Sequence, residues 1–385
     1  MDLNAILAES VALGASDTHL KVGNPPTVRI HSKLYALEGA APITRAEMDA
    51  VVDSLLDDHH RAQFRQHLQV DFAYGPPDMG RFRVNLFMQR GQPSIALRTI
   101  PLHVRNVREL NLPPVIEKIA LEERGLVLVT GTTGSGKSTT LASMIRQINE
   151  TCTNHIITVE DPIEYTHEDV QSLISQREIG YDCNNFVEGL RGALRQDPDV
   201  ILVGEMRDLE TIETAILAAE TGHLVMSTLH TLDATETITR VISAFPDHYR
   251  DQMRLVLSTV LKGIVSQRLV PRADNQGVVP AVEVLVHTAR IGECIRVKEK
   301  TAEIRDAIAQ GYTTYGMQTF DQSLLALYRQ GLITYDVALA QASNPSDFAL
   351  KVRGVASTSD TRWSDFEKAP DSEEDAGSRL KIDRF

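Results

Sequence analysis

The sequence predicts a two-part α/β protein. A small α+β domain occupies 1–100, a linker 101–114, an α/β domain with a mainly parallel sheet 115–355, and an acidic tail without regular structure 356–385. Three observations carry this. At 385 residues the chain exceeds what one ordinary hydrophobic core fills. Beyond residue 115, nearly continuous apolar runs at 126–130, 155–159, 200–203 and 224–226 alternate with helical patterns, as strands covered on both faces must. Before residue 100, short runs alternate between apolar and polar residues and are bounded by turn residues.

The N-terminal elements follow in order. Leu3, Ile6, Leu7 and Val11 recur at helical spacing. The runs 19–22 and 27–34 read as strands separated by Gly23-Asn24-Pro25-Pro26. A second amphipathic segment spans 48–64, and 81–87 and 95–98 alternate like strands. Pro101, Pro113 and Pro114 mark the linker.

In the second part, strands alternating with helices imply right-handed crossovers and ligand-binding loops at the strand C-terminal ends. After the apolar run 126–130 come Gly131-Thr132-Thr133-Gly134-Ser135-Gly136-Lys137-Ser138, followed by Thr139 and a helical stretch to 149. This is a P-loop in its required setting. The glycines let consecutive backbone N–H groups point into one concavity, and the following helix offers its positive end to a phosphate. Gly131 to Thr139 would form the cradle for ATP, with Lys137 bridging the β- and γ-phosphates and Ser138 holding Mg²⁺.

Other strand ends carry matching chemistry. The run 155–159 leads into Glu160-Asp161-Pro162-Ile163-Glu164-Tyr165. The run 200–203, preceded by Arg195-Gln196-Asp197-Pro198-Asp199, leads into Gly204-Glu205-Met206-Arg207-Asp208. The helical stretch 209–220 ends at Gly222, and the run 224–226 is flanked by His223 and by Ser227, Thr228 and His230. A phosphate cradle, two carboxylate groups and a histidine pair are expected on one rim. Attack of water on a γ-phosphate needs cations to absorb charge, a carboxylate for the water, and a group that senses the γ-phosphate. Glu205 is read as the Mg²⁺-side carboxylate acting through a bound water, Glu164 as the group that polarises the attacking water, and His230 as the γ-phosphate reporter to a neighbouring subunit.

Composition narrows the class. With 52 acidic against 39 basic residues the net charge is -13, which argues against nucleic acid as the main partner. No apolar run approaches the roughly 20 residues of a membrane span, and Met1-Asp2-Leu3-Asn4 lacks a basic signal-peptide start, so a soluble protein is expected. Three dispersed cysteines, Cys152, Cys183 and Cys294, form no C-x-x-C pair, so no zinc site is indicated and a reducing cytoplasm fits.

These residues carry a resemblance. Gly131 through Thr140, Val159 through Glu164, Gly204 through Asp208 and Thr221 through Thr231 look like the Walker A, Asp box, Walker B and His box of the secretion ATPase superfamily. Gly14-Ala15-Ser16-Asp17-Thr18-His19-Leu20 and Gly80-Arg81-Phe82-Arg83-Val84-Asn85 resemble its N-terminal domain. Over nearly all of 1–355 the chain most resembles the type IV pilus retraction ATPases, the PilT/PilU family. That resemblance implies a PAS-like N-terminal domain, a RecA-like ATPase domain and a homo-hexameric ring. It also implies action on the inner-membrane platform protein of the pilus machine, with membrane association through partners only. Assembly ATPases of the superfamily carry a tetracysteine zinc module and an additional N-terminal domain, and their lack here favours retraction. Two departures stand out. Thr132 occupies a position where proline is usual, and Thr288-Ala289-Arg290-Ile291-Gly292-Glu293-Cys294-Ile295 replaces the A-I-R-N-L-I-R-E of PilT-type chains. The second departure, with the added tail, points to PilU, the accessory paralogue, and to rings that include the PilT-type partner.

The resemblance also implies that Arg83 and Arg98 close over the nucleotide, with Arg195, Arg207 and Arg240 as further inter-subunit candidates. The tail has eight acidic and five basic residues and no apolar periodicity, so it reads as disordered, and Leu380-Lys381-Ile382-Asp383-Arg384-Phe385 is a candidate docking peptide. Two other function classes stay open at this point. One is a nucleic-acid or conjugation-type ring ATPase; the other is a structural subunit that joins a ring without needing its own hydrolysis.

Overall fold

The computed structural model describes residues 1–354 except 31, 32, 77, 78 and 101–103, so Pro101 and the 356–385 tail lie outside the described residues. The N-terminal sheet comprises β1 (Asp17–Lys21), β2 (Thr27–Ile30), β3 (Lys33–Ala36), β4 (Gln69–Tyr74), β5 (Arg81–Gln89) and β6 (Gln92–Ile100). They lie in the order β3-β2-β1-β6-β5-β4, every pair antiparallel. The strict alternation of β5 divides its side chains: Phe82, Val84 and Leu86 are fully buried and pack with Leu7, Met48 and Val51 of the covering helices. Arg81, Arg83 and Asn85 occupy the other face of the strand.

Two expectations change here. The run 27–34 is not one strand: β2 pairs antiparallel with β3, whose four residues are all exposed. The amphipathic stretch 48–64 is two helices, Arg45–Leu55 and Asp58–His67. Leu56 leaves the helix with extended backbone, and the Asp57 side chain accepts from the His60 N–H to start the next one.

The second sheet has β7 (Gly125–Thr130), β8 (His155–Glu160), β9 (Leu173–Glu178), β10 (Val200–Val203), β11 (Leu224–Leu229), β12 (Leu261–Pro271) and β13 (Val278–Val286). The order is β13-β12-β7-β11-β10-β8-β9, parallel throughout except for the β12–β13 hairpin. The pleat of β7 shows why its run is continuously apolar. Leu126 and Leu128 pack into a core with the helices Leu209–Glu220 and Ala234–Ser243, while Val127 and Val129 pack into a second core under the helix Lys137–Thr151. Each such buried Leu or Val contributes about 1.5–3 kcal/mol. The segment read as a linker also packs: Val107 and Leu112 are buried in that second core, and Arg146 donates to the Val104 carbonyl. A third small core joins Val270, Val279 and Ala281 to Leu324, Leu325 and Phe348 of the C-terminal helices.

Candidate active site

The P-loop leaves β7 with Gly131 at φ 142° and continues through Gly134 at 78° and Gly136 at 88°. All three lie in the region that side-chain-bearing residues rarely adopt. At Gly131 a Cβ would also sit 2.4 Å from the Gln267 carbonyl and 2.6 Å from Ser135 Oγ, so the loop can close only with glycine. Gly136 caps the helix Lys137–Thr151 without any side-chain hydrogen bond, which leaves that helix end to an anion. Lys137 Nζ donates to the carbonyls of Gly131 (2.9 Å) and Thr132 (3.1 Å). Burial lowers its pKa, against the pull of Glu205 and Glu164.

The loop is braced from β12, which pairs with β7. Gln267, buried, donates through Nε2 to the Ser135 carbonyl (2.6 Å) and accepts at Oε1 from Thr140 Oγ1 (2.9 Å). Thr139 Oγ1 lies 2.8 Å from the Tyr165 hydroxyl, which ties the loop to the segment after β8.

Strand β10 ends at Val203, and Glu205 lies two residues beyond it. Its carboxylate accepts from Arg207 Nη2 (2.7 Å) and lies 3.0 Å from His230 Nε2, at the end of the neighbouring β11. Burial works to raise the Glu205 pKa, but the Arg207 bond and charge, and then His230, carry it below the usual carboxylate value. Of the expected histidine pair, only His230 is on this rim. β11 separates it from His223 by six strand residues, about 20 Å, and His223 Nδ1 pairs instead with the Ala218 carbonyl at 2.9 Å.

The three carboxylates at the end of β8 and just beyond it part company. Glu160 borders a small cavity with Ser138 and Gly204, and it accepts from Thr158 Oγ1 (2.8 Å) and Gln176 Nε2 (3.3 Å). Burial pushes its carboxyl up to about 7 in spite of those bonds. Asp161 is exposed. Glu164, also exposed, lines a cleft of about 170 Å³ with Arg83 and Arg98 of the N-terminal sheet. Arg83 and Arg98 are direct cross-strand partners, a repulsive arrangement unless balanced. Asp71 at 3.9 Å from Arg83 and Asp17 at 3.1 Å from Arg98 supply the balance. On the other side of the loop, Gly136, Thr139 and Gln267 open on a cavity of about 330 Å³ that Arg105, Leu269 and Arg272 help to line. Arg195 and Arg240 are exposed, away from these contacts.

The donors fit a phosphate and its metal. Ser135 Oγ is buried without a hydrogen-bond partner inside the loop, and Lys137 is held only by loop carbonyls that an anion would replace. One hydroxyl at Ser138 and one carboxylate at Glu205 are the sparse protein donor set typical of Mg²⁺, which takes its remaining ligands from water and substrate phosphates. Sequence reasoning did not find Gln267 or Tyr165 as parts of this site. Gln267 lies 132 residues from its partner Ser135, and only the β7–β12 pairing brings them together.

The sequence matches the Type II/IV secretion system protein family over residues 2–315. It is similar to the type IV pilus retraction ATPase PilT of Pseudomonas aeruginosa, with 43% identity over 348 residues, 90% of this chain and 100% of that protein. It is also similar to the type IV pilus ATPase PilU of the same organism, with 39% identity over 353 residues, 92% of each. Among solved structures, the pilus retraction motor PilT with bound ADP superposes with a TM-score of 0.83 and 45% identity, covering 90% of this chain and 98% of that one.

Proposed function

The chain belongs to the Type II/IV secretion system protein family, as an ATPase of the pilus retraction type, and from that premise we propose that it is a hexameric motor whose ATP hydrolysis drives type IV pilus retraction. The observation that carries the reading is the gathering of Lys137, Glu205 and His230 at the ends of β7, β10 and β11, with the Glu164 loop held under two arginines of the other sheet. The triphosphate lies in the cradle from Gly131 to Thr139, and the nucleoside end occupies the cavity beside Gly136 and Gln267. Ser138 and, through a bound water, Glu205 would hold Mg²⁺, which would offset charge on the transferring phosphoryl group. Glu164 orients the attacking water. His230, bonded to Glu205, transmits the state of the γ-phosphate, and Arg83 and Arg98 approach the nucleotide as the N-terminal domain closes.

Within the retraction ATPases, the Thr288 to Ile295 segment supports an accessory, PilU-type role, whereas the identities of 43% to PilT and 39% to PilU do not separate the two. That segment forms the helix Ala289–Arg296, capped by Thr288 and buried through Ile291, Cys294 and Ile295. The accessory role places the protein with a PilT-type paralogue at the cytoplasmic face of the inner membrane, against the platform protein. Among the described residues no helix is long and apolar enough to cross a membrane.

Turnover by the purified protein, alone and with its paralogue, tests the reading. Lys137→Ala should abolish hydrolysis and weaken nucleotide binding. Glu164→Gln should slow turnover by roughly 10² to 10⁴ with Mg-ATP binding nearly intact, as expected of a general base. Glu205→Gln should also impair the metal-dependent steps. Unchanged turnover in Lys137→Ala would remove the P-loop assignment, and equal binding loss in both glutamate variants would reverse their roles.

A further inference from the structure

The two sheets meet beside the site through Arg81 and Glu178. Glu178, the last residue of β9, is buried and sits directly opposite Glu160 in the β8–β9 register. Its Oε2 accepts from Arg81 Nη2 at 2.9 Å and from the Ile163 N–H at 3.3 Å. Its backbone is pinned as well, because the Glu178 N–H donates to Asp182 Oδ2 at 2.8 Å. One carboxylate oxygen therefore holds both an arginine of the N-terminal sheet and the backbone next to Glu164. Arg81 opens β5 two residues before Arg83, so the pleat puts both on one face, and Arg83 stands opposite Arg98 over Glu164. A second contact runs alongside: the His60 ring stacks on Tyr181 with centroids 6.0 Å apart and planes 10° apart. The same ring lies 5.1 Å from Phe72 of β4.

We propose that Arg81 and Glu178 are positioning residues for hydrolysis, an ion pair that fixes the Ile163-Glu164 loop relative to Arg83 and Arg98. In this role the pair is not itself a ligand of the phosphate or of the attacking water. It acts through the loop, and the placement of the N-terminal sheet is thereby felt at the carboxylate that meets the water. The contact is polar and flanked by a cleft of about 440 Å³, so it can break and re-form without exposing a core. A small displacement of a reacting group costs far more rate than affinity. This inference rests on the reading of Glu164 given above.

The test uses the full chain and compares Arg81→Ala, Arg81→Lys, Glu178→Gln, the exchange Arg81→Glu with Glu178→Arg, and Glu164→Gln. The measurements are ATP turnover, affinity for a fluorescent ADP, and thermal midpoint. The expected result is a fall in kcat of about tenfold or more for Arg81→Ala and Glu178→Gln with ADP affinity within about twofold. Arg81→Lys should be intermediate, and the exchange should recover most of the lost kcat. Wild-type turnover in both single variants, or an exchange variant that folds and binds ADP yet stays as slow as the singles, would overturn the proposal. Should Glu178→Gln fail to fold, the partly exposed Arg81 and its lysine variant decide the matter alone. Normal turnover in Glu164→Gln would instead remove the reading on which the pair depends.

Discussion

Glu283 stands on β13 with its side chain buried, accepting from the Ala234 N–H at 2.9 Å and so holding the start of the helix that follows the His230 segment. Burial raises its carboxyl to about 7, with Asp233 adding to the rise and the Ala234 bond, Arg305 and Arg268 opposing it. The folded protein therefore favours the protonated group more than the unfolded chain, whose value is near 4.5. The stability from this preference is full below that value and is lost as pH rises through about 7, roughly 3 kcal/mol in all. Glu283→Gln keeps the acceptor and removes the charge. We expect it to match the wild type in denaturant midpoint at pH 5 and to exceed it at pH 8. Parallel midpoints at both pH values would mean that the site is solvated enough to ionise freely. At this scale the sequence was only partly legible. Lys137, Glu205 and His230 stood where strand ends placed them, because a P-loop and a carboxylate after an apolar strand are local patterns. Which of Glu160, Asp161 and Glu164 is the more enclosed was not, since it depends on Ser138, Thr158 and Gln176 closing around one of them.

Among elements, β7 and β12 show how a motif loop depends on a strand outside its motif. Gly131 packs under the Gln267 carbonyl, Thr130 Oγ1 donates to Ser266 Oγ at 2.8 Å, and Gln267 reaches both Ser135 and Thr140. Gln267→Ala would strand a buried carbonyl and a buried hydroxyl, each costing about 1–3 kcal/mol if water cannot replace the partner. We therefore expect a loss of a few kcal/mol in denaturant unfolding together with weaker ADP binding in a titration. Normal affinity in a destabilised variant would confine Gln267 to the fold. Two of the strands that escaped sequence reading share a cause. β9 and β12 mix polar and charged residues, Ser175, Gln176 and Arg177 in one, Lys262, Gln267 and Arg268 in the other, so neither shows the apolar run of β7 or β11. The β2–β3 pair was read as one strand because no glycine or proline stands between Thr27 and Ala36, and the break at Leu56 was hidden because Leu55 and Leu56 continue the helical apolar spacing of Val51 and Val52.

For the whole molecule, the division into an antiparallel sheet and a parallel one followed from the switch between alternating and continuous apolar runs, and the way the two meet did not. Arg81–Glu178, His60–Tyr181 and the cleft of Arg83, Arg98 and Glu164 join residues about a hundred positions apart through side chains that read singly as solvated. The site is also open on its outer side. The Arg207 and His230 side chains next to Glu205 are 71% and 45% exposed, so charge built for a phosphate is still facing water in one chain. A neighbouring subunit packed over this rim would desolvate the constellation and strengthen its electrostatics. It would also let an arginine from one chain act at the γ-phosphate of another, an arrangement worth about 10³ to 10⁵ in rate where it occurs. We accordingly expect the 42.6 kDa chain to sediment as a hexamer at micromolar concentration with ADP bound. Turnover per chain should rise steeply with protein concentration across the assembly range. A monomer under those conditions, with turnover per chain independent of concentration, would show that one subunit completes its own site and that the exposed Arg207 and His230 serve another purpose.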